Sequence, residues 1–164
     1  MAFTIPSDLN PALMPLAWMI GTWRGNGHGN WPGQGEFEYG IQVEFADNGS
    51  GYLHYLAQTY ETDEDGNPVK PLSMETGFWR ANEKDLEVVL AAPEGRAEVW
   101  AGKIDGAKIE LTTDLVASTS TSKPEVTGGQ RLYGQVEGDL LWTYDRATTD
   151  DKLQPYMWAR LQRA

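Results

Sequence analysis

The run Glu36–Phe45 alternates without a break. Phe37, Tyr39, Ile41, Val43 and Phe45 are apolar, and Glu36, Glu38, Gly40, Gln42 and Glu44 between them are polar or bare. Successive strand side chains point to opposite faces, so this segment reads as a strand with one buried face and one solvated face. The same period recurs along the chain, punctuated by turn formers. Thr22–Gly29 comes before it; Asn48-Gly49-Ser50-Gly51 turns into Tyr52–Thr62, and Asp65-Gly66-Asn67-Pro68 leads to Leu72–Arg80. Asn82-Glu83-Lys84 introduces Asp85–Ala91, Glu94-Gly95 introduces Arg96–Lys103, and Asp105-Gly106 introduces Lys108–Thr113. Gln130–Val136, Leu140–Arg146 and Tyr156–Arg163 bring the total to about ten short strands.

Tight turns between consecutive strands imply antiparallel, up-and-down pairing. A sheet of about ten such strands hides its edges by closing into a barrel. With more than about eight strands the interior is too wide for side chains to fill, so a cavity is expected. A β-sandwich is the alternative, and the near absence of long crossovers counts against its Greek-key connections. The reading is therefore all-β, an antiparallel up-and-down β-barrel spanning residues 1–164 as one domain. A short helical segment is expected within Ser7–Met19, with Ser7 or Asp8 as cap and Pro11 and Pro15 limiting its length. Ser118–Thr127, rich in Ser and Thr and carrying Pro124, reads as a long mobile loop.

Charge and composition exclude several functions. Asp plus Glu number 24 against 13 Lys plus Arg, for a net charge of −11. Nucleic acid and anionic membrane surfaces both require clustered positive charge, so neither is expected as a partner. There is no cysteine, which removes disulfides, thiolate metal sites and cysteine nucleophiles. No apolar run approaches the roughly 18 residues of a membrane span. The first residues lack a basic start, and Leu13–Ile20 is interrupted by Pro15, a poor match to a secretory signal. A cytoplasmic location is the expectation.

Candidate chemistry is sparse. Gly21, Gly25, Gly27 and Gly29 alternate along one strand and leave Trp23 as the large side chain in a run of bare backbone. Such glycines admit a sharp bend or the close approach of another backbone; the functional version is a strip that makes room for a flat ligand. No helix follows them, so they do not cradle a phosphate. His28 and His54 are the only imidazoles and share no ligand spacing, which argues against a zinc or non-haem iron cluster. His54 reads as a packed or rim residue on the face of Tyr52 and Leu56. No Gly-x-Ser-x-Gly elbow is present, and pairs such as Glu36/Glu38 fall on the polar face. No catalytic residue is assigned.

The stretch Gly21-Thr22-Trp23-Arg24-Gly25-Asn26-Gly27-His28-Gly29-Asn30-Trp31-Pro32 resembles the Gly-x-Trp-x-Gly-x-Gly signature of the nitrobindin family and its aromatic-Pro step. The likeness continues through Phe37-Glu38-Tyr39, Glu75-Thr76-Gly77-Phe78 with Arg80, Val89-Leu90-Ala91 with Pro93, and Leu153-Gln154 with Ala159, Leu161 and Arg163. It runs in one order from Pro15 to Arg163. The resemblance implies a ten-stranded barrel similar to lipocalins and fatty-acid-binding proteins. It also implies, for haem-binding members, ferric haem at the barrel mouth, nitric oxide binding and peroxynitrite isomerisation. In those members a His on the last strand ligates iron, and a Thr after the aromatic-Pro step contacts the haem.

This sequence departs at both places. Tyr156 stands where the resemblance puts the ligating His, and Gly33 where it puts the Thr. Neutral imidazole binds iron readily, whereas a phenol must first lose a proton with a pKa near ~10. The sequence thus resembles the ferric-nitrobindin-like branch, with the scaffold retained and the iron ligand missing. The first reading is a binding module for a small apolar molecule, with no cofactor and no isomerase activity. The second is a haem b protein using Tyr156 as a phenolate ligand, assisted by Arg160, which period two places on the same face. The third is an interaction or structural protein whose barrel is filled by its Trp residues.

Overall fold

The computed structural model describes residues 3–164. Ten antiparallel strands form one closed barrel in strict sequence order, with β1 hydrogen-bonded to both β2 and β10. They are β1 (Gly21–Trp31), β2 (Gly35–Asp47), β3 (Leu53–Thr62), β4 (Pro68–Asn82), β5 (Asp85–Ala92), β6 (Arg96–Asp105), β7 (Lys108–Ser118), β8 (Val126–Val136), β9 (Asp139–Thr148) and β10 (Gln154–Arg163). The alternation read in β2 holds: Tyr39, Ile41, Val43 and Phe45 are buried inside the barrel, and Phe37 is half-buried at the end of the same row. No helix of the described residues is long and apolar enough to cross a membrane.

One end of the barrel is plugged. The helical segment is a 3₁₀ helix, Pro11–Met19, whose cap is Asn10 rather than Ser7 or Asp8. Its side-chain oxygen accepts from the Ala12 N–H at 2.9 Å. Pro11 at the first position and Pro15 inside remove backbone donors, which favours a short, tight helix over a longer α-helix. Leu13, Leu16 and Met19 are fully buried in the same core cluster as Trp23, Leu53, Trp79 and Leu140. The indole of Trp23 donates to the Met19 carbonyl at 2.9 Å. Arg163, from the last strand, donates to the Ile20 and Trp18 carbonyls at 2.5 and 2.7 Å, with its guanidinium 4.1 Å from the Trp23 ring centre. The plug is thereby tied to both strands of the closing seam.

At that seam the glycines of β1 meet β10. A Cβ on Gly25 would lie 2.5 Å from the Arg160 carbonyl oxygen, and one on Gly27 would lie 2.8 Å from the Trp158 carbonyl and overlap the Tyr39 ring. The strip therefore serves close backbone approach, and Tyr39 occupies the space it leaves. Trp23, between Gly21 and Gly25, is fully buried.

The segment read as a long mobile loop is shorter than expected, because β7 extends to Ser118 and β8 begins at Val126. The turn between is tied down: Thr119 N–H donates to the Gly95 carbonyl at 2.8 Å, Thr149 N–H donates to the Glu125 carbonyl at 3.0 Å, and Ser122 is buried. Replacing Gly25 with Val is expected to lower stability by about 1–3 kcal/mol through overpacking at the seam. Chemical denaturation reads this directly, and an unchanged midpoint would mean the seam has slack.

Candidate functional site

Opposite the plug lies a cavity of about 280 Å³, to which the β1–β2, β5–β6 and β7–β8 turns contribute Gln34, Glu94 and Pro124. Its wall is aromatic and aliphatic, with Phe37, Tyr39, Ile41, Trp142, Tyr144 and Met157 among the lining. Three arginines, Arg96, Arg131 and Arg146, and two glutamates, Glu75 and Glu94, also face it. Sequence reading missed all five. The signal was present: period two puts Arg131 in phase with Tyr133, and Arg146 in phase with Leu140, Trp142 and Tyr144. A charged side chain in an inward row needs a partner or a purpose.

Glu75 and Arg131 are such partners. The Arg131 guanidinium donates to both Glu75 carboxylate oxygens, at 2.5 and 3.0 Å, and the Tyr55 hydroxyl donates to Oε1 at 2.8 Å. Arg131 also lies over the rings of Tyr144 at 4.2 Å and Trp100 at 4.8 Å. Burial alone would raise the Glu75 pKa. The Arg131 charge and the hydrogen bonds from Arg131 and Tyr55 outweigh that and hold it below the usual carboxylate value. Glu98 is the contrasting case: its burial dominates and pushes its pKa up, although Arg96 Nε lies 3.6 Å from Oε1. Burial likewise raises the phenols of Tyr39, Tyr55 and Tyr144, the last to about 12, so these three face the cavity as neutral hydroxyls.

The positions singled out by the family resemblance fall in two groups. Tyr156 lines the cavity, whereas Gly33 lies in the exposed β1–β2 turn with a positive φ of 84° that suits glycine. The surroundings of Tyr156 differ from expectation because β10 carries a bulge. Pro155 pairs with Asp145 and Met157 with Tyr144, leaving Tyr156 as the extra residue. The bulge shifts the phase by one: Tyr156 and Met157 both line the cavity, Trp158 is exposed, Ala159 is buried and Arg160 faces solvent. Arg160 is therefore not on the Tyr156 face, and its Nε instead donates to Asp139 at 2.6 Å on the outer surface. The cation beside Tyr156 is Arg146, 3.7 Å from its ring centre and 4.3 Å from that of Trp31. Trp31, Tyr144 and Phe37 stand around the same phenol at centroid distances of 5.4, 5.6 and 6.0 Å.

Neither imidazole faces the cavity. His28 is on the outer surface, 3.7 Å from Glu38 and beside Trp158. His54 is outward as well, packed on Phe78, with Nε2 2.8 Å from Thr76 Oγ1. The Thr76 hydroxyl gives its own proton to the Tyr55 carbonyl, so His54 is the donor and is spent on packing, not on base chemistry.

The pattern of the family described as the THAP4-like, heme-binding beta-barrel domain matches residues 12–163. The chain belongs to that family, the nitrobindin barrels. A ferric nitrobindin-like protein from Cutibacterium acnes is 65% identical, with 100% of each chain covered. A peroxynitrite isomerase from a Nocardioides species is 44% identical over 99% of each chain. The crystal structure of Rv2717c from M. tuberculosis superimposes with a TM-score of 0.84 at 35% identity, covering 95% of this chain and 99% of that one.

The interior pair yields a stability prediction. Glu75→Gln leaves the Arg131 charge buried opposite a neutral amide and is expected to cost about 3–5 kcal/mol at neutral pH. The wild-type contribution is fully present above the unfolded Glu value of 4.5 and is lost as pH falls through the lower folded pKa. Denaturation curves across that acid range should converge for the two proteins; a constant gap down to the acid limit would contradict the ion-pair account.

Proposed function

We propose that this protein is a ligand-binding nitrobindin barrel that does not hold ferric haem through a protein imidazole and does not isomerise peroxynitrite. The observation that carries this reading is the Tyr156 site. The position that the family resemblance gives to the ligating His is a phenol packed among Trp31, Phe37, Tyr144 and the Arg146 guanidinium, with both histidines outside the barrel. Haem iron takes imidazole, thiolate, thioether or phenolate ligands; this cavity offers no imidazole or thiolate, only phenols and the thioethers of Met74 and Met157, and a thioether serves haem beside a His. The three other phenols that line it are kept protonated by burial. This donor set does not fit the haem of the family, and no step of a haem reaction follows from it. A small, largely apolar molecule fits better: the cavity is walled mainly by aromatic and aliphatic side chains, and its volume lies at the lower edge of small-molecule sites, about 300–1,000 Å³.

Titration with hemin tests the reading. Wild-type protein is expected to give the broad spectrum of unligated hemin, without a saturable Soret band. Tyr156→His is expected to create a sharp five-coordinate ferric band, because the bulge already aims that position into the cavity. A red wild-type protein whose Soret band disappears in Tyr156→Phe would assign the phenolate as an iron ligand and overturn the proposal.

A further inference from the structure

Arg146 is 7% exposed, yet no carboxylate among the described residues pairs with it. Its Nε is buried without a hydrogen-bond partner in the protein, as are those of Arg96 and Arg131, so what sets Arg146 apart is the lack of a carboxylate. The other two cavity arginines are committed: Arg131 to Glu75 through both terminal nitrogens, Arg96 to Glu98 at 3.6 Å. Glu94, the remaining cavity carboxylate, accepts from the Ser73 hydroxyl rather than from Arg146. A buried cation without a counter-charge is costly, and the aromatic contacts return only part of that cost.

Those contacts also define what is left exposed to a ligand. Trp31 and Tyr156 interact with the guanidinium through their rings, at 4.3 and 3.7 Å from their centres. Ring contacts of this kind do not use the N–H groups, whose planar fork matches a carboxylate bidentately. Arg146 is the last buried residue of β9, near the mouth, while Ile41, Ala57 and Trp142 provide apolar wall in the same cavity. An anion held there would sit at the mouth with its apolar part directed inward.

We propose that Arg146 is the receptor for the carboxylate of a small amphiphilic monocarboxylic acid whose apolar part occupies the cavity. The proposal rests on the ligand-binding reading above and adds a charge to the ligand. The modest cavity volume selects a medium-length or single-ring acid over a long acyl chain.

Calorimetric titration of the full chain with octanoate and with 1-octanol tests it, since the two share an apolar tail and differ in the charged head. Octanoate is expected to bind wild-type protein about 10-fold or more tightly than octanol, the scale of one charge-assisted hydrogen-bonded contact. Arg146→Met is expected to lose that preference by weakening octanoate about 10-fold while leaving octanol unchanged, with near-ultraviolet circular dichroism confirming an intact fold. The wild-type comparison needs no variant, so a misfolded Arg146→Met would not protect the proposal. Equal binding of the two ligands, or a preference that survives Arg146→Met, overturns the assignment of Arg146 and leaves the ligand-binding reading standing. Failure of both ligands to bind overturns that reading together with the proposal.

Discussion

Ten strands wrapped into one sheet enclose more volume than a small hydrophobic core can fill, and this chain divides that volume in two. The 3₁₀ helix seals one end with Leu13, Leu16 and Met19. The other end stays open as the cavity. The division depends on the seam between β1 and β10, where glycines replace side chains so that two backbones and the Tyr39 ring share the space. Arg163 then ties the plug to the last strand through the carbonyls of Trp18 and Ile20. The same seam that closes the barrel thus holds its plug.

The cavity wall itself carries buried charge. Glu75 and Arg131 satisfy each other and gather Tyr55 into the network, which makes their burial tolerable. Arg146 has no such partner and sits among aromatic rings at the mouth. This contrast separates two roles for chemically identical side chains. A paired guanidinium orders the interior, and an unpaired one at an opening is available to recognise an anion.

Much of this was legible in the sequence. Alternation in Glu36–Phe45 and a turn signal between most neighbouring strands determine ten serial strands, and serial strands leave a barrel as the simplest edge-free solution. The glycine strip was also readable as close backbone approach, because bare positions at period two have few other uses. The surroundings of Tyr156 were not legible. Period-two reasoning carried Arg160 onto its face, but a single extra residue in β10 inverts the phase between Tyr156 and Ala159. Nothing in Gln154–Trp158 announces the bulge to a reader of one strand, since it is defined by pairing with β9. The charged interior was legible in part: Arg131 and Arg146 stand in inward rows, but Glu75, the partner of Arg131, and Tyr55, which donates to that carboxylate, come from strands far away in sequence.

The central claim is that the mouth of this barrel recognises a ligand through its own side chains rather than through iron. The most direct measurement is a ¹H–¹⁵N spectrum that includes the arginine Nε–H groups, recorded during titration with octanoate. The account predicts saturable movement of the Arg146 Nε–H and of the backbone amides of Gln34, Met74 and Met157 around the cavity, with Arg160 and Arg163 unmoved. A spectrum in which Arg146 and the mouth amides stay in place, or in which the changes scatter over the outer face, would contradict it.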